Sequence, residues 1–400
     1  MLHLPQSTTA SERVAISLVQ GNNAFLRCLD EMKICDALPD EQELMACLDW
    51  NKLVPAFYTA VIQNKLLEDY FSSEFLLELK TYYRSSVLHS MQLEGVFRSM
   101  VPLLQKENID IILFKGIVLA QLVYPTPTLR PMLDIDLLVE PNNVDKARQI
   151  LVRAGCTPMY ETESRHTMGH WRHIPPLVYR DIPIEIHQRL LLPHETMYPG
   201  MEEMAEKVIA IDILGSRFRT LSPEYHLFYL VYHLQKHALQ GYIKLIWLLD
   251  IRLFLEKYQS ALHTEELEYL TSGSKDIYHS FAAVQNILNC KLIKIPEDYP
   301  VKEIDKAGSL FLTRCNNKRL AEPKIKSFHV IRKRNTFKGK FLFIFGRLFP
   351  NTAYVRSIFH VRYKILTPFY YPVLYSKYLR KLIYTYRSKT IRHPEQEPME

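Results

Sequence analysis

The sequence predicts an α+β fold: a small mixed sheet flanked by helical regions. Three observations lead there. Apolar residues recur at three- and four-residue steps through ELMACLDWNKLVPAFYTAVIQ (43–63) and EFLLELKTYYRSSVLHSMQLEGVFRSMVPLLQKEN (74–108), the period of core-facing helices. That period then gives way to two short apolar runs, IDIILF (109–114) and DIDLLVE (134–140), which suit buried strands. From about residue 222 the helical period returns. Glycine is scarce, at 12 residues, against 24 tyrosines and 19 phenylalanines, which favours helices packed through aromatic rings.

The elements follow in order. Residues 10 to about 108 read as helices throughout. After the first strand, Lys115-Gly116 interrupts the apolar run, IVLAQLVY (117–124) makes a short helix, and Pro125 and Pro127 break it. Beyond the second strand, Pro141-Asn142-Asn143 is a turn. VDKARQILVRAG (144–155) is an amphipathic helix that Gly155 closes. Strand–helix–strand–helix within so short a span is an α/β-type unit. LVYRDIPIEIHQRLL (177–191) reads as a hairpin whose second strand places Glu185 and His187 on one face. Helices follow at SPEYHLFYLVYHLQKHALQ (222–240), with Ser222 as N-cap, at IKLIWLLDIRLFLEKY (243–258), and at DIYHSFAAVQNILNCKLI (276–293).

Bulk properties narrow the class. A chain of 400 residues exceeds one simple core and implies several domains. The net charge of +7 conceals an asymmetry. Residues 314–393 hold 20 Lys or Arg and a single acid, Glu322, whereas residues 1–313 are net −9. A segment so basic is an electrostatic footprint for phosphates, RNA or anionic lipid. Its aromatic interleaving leaves three readings open: a solvated face, a membrane surface or single-stranded RNA. Six scattered cysteines without a C-x-x-C pair exclude a disulfide framework and a cysteine zinc site. Neither a secretory leader nor an 18-residue apolar stretch is evident, so the expected location is cytoplasmic, with peripheral membrane contact open.

The chemistry concentrates in MLDIDLLV (132–139). Side chains two apart on a strand point the same way, so Asp134 and Asp136 share a face on which two carboxylates repel and resist desolvation. A divalent cation resolves that conflict, and Mg²⁺ favours a few carboxylates together with substrate phosphate oxygens. Lys115 and Gly116 sit where a strand meets a helix, a place suited to phosphate. Arg130 is a second phosphate candidate, and Glu185 supplies a third acid, with His187 beside it. Phosphate loop, metal aspartates and a third acid together spell phosphoryl or nucleotidyl transfer.

FKG (114–116), RPMLDIDLLVE (130–140) and IEIH (184–187) resemble the DNA polymerase β-type nucleotidyltransferase superfamily. More narrowly they resemble a bacterial family marked by a lysine-glycine loop, an R-P-M-x-D-I-D-L-L-V strand and an E-I-H strand. The resemblance spans about residues 40–260, including HLQKHALQGYIKLIWLLDI (233–251). It implies a polymerase β-like core at 109–215 between an N-terminal helical subdomain (1–108) and a helical subdomain (216–310) closing the nucleotide cleft. A basic aromatic segment (311–400) follows. Asp134, Asp136 and Glu185 would hold Mg²⁺ or Mn²⁺ and carry catalysis, and Lys115, Gly116, Arg130 and His187 would bind the NTP. The superfamily loop is usually Gly-Ser or Gly-Gly; here Lys115 stands in for the serine contact. The implied reaction moves an NMP to a hydroxyl of an acceptor: small molecule, peptide, polysaccharide precursor or RNA. Kinase-like phosphoryl transfer and a non-catalytic binding role on the same scaffold are the alternatives.

Three further features are weighed. His233 and His237 stand one helical turn apart, a zinc-compatible spacing that lacks a third ligand, so a packed pair near the cleft is expected. Asp250 on the next helix is expected to tie the helical region to the site, through one of those histidines. His166, His170 and His173 read as a solvated loop.

Overall fold

The computed structural model describes residues 8–64, 69–159, 174–191, 206–297, 299–313 and 371–372. The chain divides into two compact units, Met1–Met159 with His170–Lys326, and Tyr160–Gly169 with Ser327–Glu400. All elements named below belong to the first. The histidine-rich stretch at 161–173 lies outside the described residues, as does the basic segment apart from Tyr371 and Pro372.

The first third of the chain is helical, as its period requires: α1 (Ala10–Gln20), α2 (Asn22–Ile34), α3 (Glu41–Trp50), α4 (Val54–Gln63) and the long α5 (Ser73–Lys106). Local signals set the starts. Thr9 and Glu12 form a reciprocal capping box on α1, and Asp40 and Ser72 cap α3 and α5 through their side chains. Glu41 accepts from both the backbone and hydroxyl of Ser72, so the cap of one helix is tied to the first residue of another. Phe57 packs edge-on against Phe25, Phe71 and Phe75 at the centre of this region.

The strands are β1 (Ile111–Leu113), β2 (Ile135–Val139), β3 (Thr157–Pro158), β4 (Leu177–Tyr179), β5 (Ile182–His187), β6 (Val208–Ile213) and β7 (Ser216–Leu221). They form one mixed sheet in the order β3-β4-β5-β2-β1-β7-β6. β1 runs antiparallel to β2 and parallel to β7, and β2 runs parallel to β5. All five residues of β2 are buried, which explains its unbroken apolar run apart from Asp136. Both hairpins turn on two consecutive residues with positive φ, Arg180-Asp181 in β4–β5 and Leu214-Gly215 in β6–β7. That is the turn geometry whose twist matches the flanking strands. The β4–β5 hairpin answers the expectation for 177–191. The β6–β7 hairpin was not anticipated: Leu214 replaces the usual Asn or Asp, and SRFRTL carries two arginines. The boundary expected between residues 215 and 216 falls at its tip, and β7 is part of the sheet.

Two short helices connect these strands, α6 (Gly116–Leu122) and α7 (Val144–Arg153), and the longer α8 (Pro223–Gln240) follows the sheet. Gly155, at φ 101°, takes the left-handed position after α7 that the sequence assigns it, as Gly241 does after α8. Ser222 stands at the N-cap of α8, although its side chain makes no cap bond. Then come α9 (Ile246–Tyr258), α10 (Thr264–Ser272), α11 (Lys275–Leu288) and α12 (Val301–Thr313). The α10 and α12 helices are additions to the expected set.

The helices before and after the sheet share one core. α1 packs on α3, α9 and α11, and buried Asn51 accepts from the Leu245 backbone at 2.9 Å. Lys244 donates to the Trp50 carbonyl across the same junction. The chain therefore leaves a helical body, builds the sheet, and returns to complete the body it left.

Candidate active site

The register of β2 against β5 assembles the site. Asp136 pairs across from Glu185, and Leu138 from His187. Side chains alternate, so Asp136, Glu185 and His187 all emerge on one face of two neighbouring parallel strands. One ligand-type atom from each lies within 4.8 Å of the others, the sole such trio among the described residues. His187 Nε2 stands 2.7 Å from Asp136 Oδ1 and 3.4 Å from Glu185 Oε2. Its ring is held edge-on by Phe114 at 5.0 Å, which in turn meets Tyr229 of α8.

Lys115 closes the trio from the β1–α6 turn. Its backbone, at φ 60° and ψ −131°, occupies a conformation that side chains other than glycine's rarely take. From there Nζ donates to Asp136 Oδ1 at 2.9 Å and lies over the Phe114 ring. Burial alone would raise the Asp136 carboxyl, but Lys115 and the His187 hydrogen bond outweigh it and hold it well below the carboxylate range. Burial likewise disfavours the Lys115 charge, and Asp136 more than restores it.

Asp134 behaves in the opposite way. It lies one residue before β2, in the approach to the strand. Burial first, then repulsion from Asp136 and Glu185, push its carboxyl up to about 7 against the pull of Lys115 and Arg130. Two aspartates two residues apart thus sit in one field with opposite tendencies: the lysine and histidine satisfy Asp136 and leave Asp134 short of positive charge. A hard divalent cation fits that deficit. Of the three expected acids, Asp136 and Glu185 lie in the converging trio and Asp134 stands outside it; carboxylates of this kind could hold a divalent ion.

Arg130 is placed differently from the phosphate role expected of it. It is buried at 8% exposure, and its Nε and Nη2 donate to Asp250 Oδ1 and Oδ2, each at 2.8 Å. Tyr124 at the end of α6 adds a third bond to the same carboxylate, 2.7 Å to Oδ1. Asp250 therefore links α9 to the segment between β1 and β2, through Arg130 and Tyr124 and not through a histidine as expected. His233 and His237 lie with their Nε2 atoms 3.2 Å apart and pack against Trp247, the packed pair the sequence suggested. Tyr124 and Tyr229 escaped the sequence reading, because each looks like one more core aromatic, and Phe114 was quoted only as part of FKG with no role of its own.

Comparison with known proteins adds a family. Residues 38–272 match the family described as uncharacterised nucleotidyltransferase. No curated protein matches the chain. Two solved structures overlap it loosely. The antibiotic-resistance factor ANT(2'')-Ia, known in solution, is 14% identical, with 48% of this chain and 96% of that one covered at a TM-score of 0.34. An antigenic nucleotidyltransferase-like protein from Paracoccidioides brasiliensis is 16% identical, with 51% and 94% covered at 0.35. Likeness at that level adds nothing to the assignment, which stands on the family match over more than half of the chain: this protein belongs to the uncharacterised nucleotidyltransferase family, and is by family a transferase.

Proposed function

We propose that the protein is a Mg²⁺- or Mn²⁺-dependent nucleotidyltransferase that moves an NMP from an NTP to a hydroxyl of an acceptor. The observation that carries this reading is the convergence of Asp136, Glu185 and His187 beside a charge-deficient Asp134. Asp134 and Asp136 would hold the cation, with Glu185 completing the set. A divalent ion bound there supplies charge neutralisation for phosphate oxygens and eases ionisation of the acceptor hydroxyl.

The chain's own residues supply the rest. Lys115 would meet the triphosphate, since a lysine charge at a strand-to-helix turn suits phosphate. A Cβ on Gly116 would come within 3.2 Å of Arg130 Nη1 and 3.4 Å of Met132 Sδ, so the glycine leaves room for those two side chains beside the turn. Glu185 is the most accessible of the trio, its side chain 23% exposed against 5% for Asp136 and His187. That suits a base that meets an incoming hydroxyl. His187, hydrogen-bonded to Asp136, orients that carboxylate instead of contacting the nucleotide directly.

The test is titration calorimetry of an NTP panel with Mg²⁺ or Mn²⁺, on the wild type and on Asp134→Asn/Asp136→Asn. Metal-dependent binding to the wild type, lost in the folded double variant, is the expected result. A folded wild type that binds no NTP overturns the reading. Once an acceptor is found, transfer of label from the α-phosphate and not the γ-phosphate separates nucleotidyl from kinase-like transfer.

A further inference from the structure

Asp250 lies on α9, 120 residues beyond Arg130, yet its carboxylate is the focus of three hydrogen bonds and is only 1% exposed. A bidentate guanidinium–carboxylate pair fixes both the position and the plane of the guanidinium. With Nε and Nη2 committed, the remaining nitrogen, Nη1, is left against the turn at Gly116. It sits 3.2 Å from where a Cβ there would be. The turn it abuts carries Lys115, and the segment it anchors leads within four residues into Asp134. Tyr124 bonds to the same carboxylate from the far end of α6, the helix that begins at Gly116. The middle of the β1–α6–β2 connection, at Tyr124, and its approach to β2, at Arg130, are therefore referred to one carboxylate that belongs to the helical body.

We propose that Asp250 is a positioning residue for triphosphate binding: it clamps Arg130 and Tyr124, setting the Lys115-Gly116 turn and the approach to Asp134 at the spacing a nucleotide triphosphate needs. This rests on the nucleotidyltransferase reading above and deepens it. It makes Arg130 a strut whose Nη1 alone is free of the clamp, and it makes phosphate affinity depend on a helix that carries none of the metal-site carboxylates. An alternative use of the same pair is purely structural, docking α9 on the sheet.

Binding of inorganic tripolyphosphate and of ATP, with Mn²⁺ present, separates the two uses. The proteins are the wild type, Asp250→Asn and Tyr124→Phe. Asp250→Asn keeps size and removes the charge; Tyr124→Phe removes one bond and keeps the ion pair, so it serves if the first variant does not fold. Mn²⁺ affinity, read by electron paramagnetic resonance without nucleotide, reports the carboxylate site independently. The expectation is about a 10- to 100-fold loss for both polyphosphates in Asp250→Asn. A smaller loss in Tyr124→Phe and little change in Mn²⁺ affinity should accompany it. Unchanged polyphosphate affinity in folded variants, with only the melting temperature lowered, leaves the pair as a docking contact and overturns the proposal while sparing the nucleotidyltransferase reading. A folded wild type that binds neither polyphosphate nor ATP overturns both.

Discussion

At the scale of single residues, the site turns on how unequally its two aspartates are treated. Asp136 is satisfied by Lys115 and His187, while Asp134 is left with its carboxyl pushed up to about 7. Replacing Asp136 by Asn removes the buried charge that balances the partly buried Lys115. Breaking such a pair from one side typically costs about 3–5 kcal/mol, because the partner stays buried and uncompensated. We expect Asp136→Asn to lower the unfolding free energy from denaturant titration by an amount of that order, and to reduce Mn²⁺ affinity about 10- to 100-fold. Retention of both would mean that Lys115 turns outward to water and that Asp136 is not a ligand. The sequence made this much legible, since strand alternation alone brings Glu185 and His187 to one face and D-x-D is visible by eye. It did not show that Asp134 lies just outside the strand, because the residue where pairing begins is set by β5 and β1, not by MLDIDLLV itself. The Arg130–Asp250 pair was hidden for a related reason: nothing local to either residue refers to the other.

At the scale of elements, two features carry predictions. Leu214 sits at φ 52° in the β6–β7 turn, a left-handed position that costs a branched side chain about 1–2 kcal/mol relative to Gly or Asn. Leu214→Asn should therefore stabilise the protein by about 1 kcal/mol, provided the Arg98 bond to the Leu214 carbonyl persists. A lower chemical-denaturation midpoint would show that the leucine side chain contributes more by packing than its backbone loses. This same residue is why the hairpin was missed, as it wears a strand residue in a turn. On α8, His226 is buried against Phe254, with Nε2 unpartnered among the described residues. Burial lowers its pKa from 6.5 to about 4. The unfolded chain therefore binds a proton that the folded chain refuses between those two values, so stability is full above pH 6.5 and falls as the pH drops toward 4. The loss by pH 4 is on the order of 3 kcal/mol. His226→Leu should flatten that part of the stability–pH curve, measured by denaturant titration across pH 4–7. An unchanged slope would place the proton uptake elsewhere.

At the scale of the whole molecule, charge is divided along the chain more sharply than the net value of +7 suggests. Residues 314–393 hold +19 and residues 1–313 hold −9. The intact protein should bind a sulfonate matrix at pH 7 and elute at higher salt than a globular protein of equal net charge, because a matrix samples the local field. Elution where +7 would place it would mean that the acidic portion of the chain neutralises the basic one. Among the described residues no helix is long and apolar enough to cross a membrane. The helical ends and the central sheet were legible because their periods differ. That the two helical regions form one body was not, since periodicity shows that a face is apolar and never what covers it.

The return of the chain from sheet to helical body has a consequence for how the protein comes into being. During synthesis the strands bearing Asp136, Glu185 and His187 leave the ribosome well before α9 does. For that interval Arg130, whose burial depends on Asp250, has no carboxylate to receive it. β1 also waits, for its parallel neighbour arrives only with Arg219 and Thr220. Contacts so distant along the chain form slowly. The nascent core therefore stays open on the side of its arginine until residue 250 appears, and any ribosomal arrest before that point leaves a charged, half-covered sheet for chaperones or proteases to find.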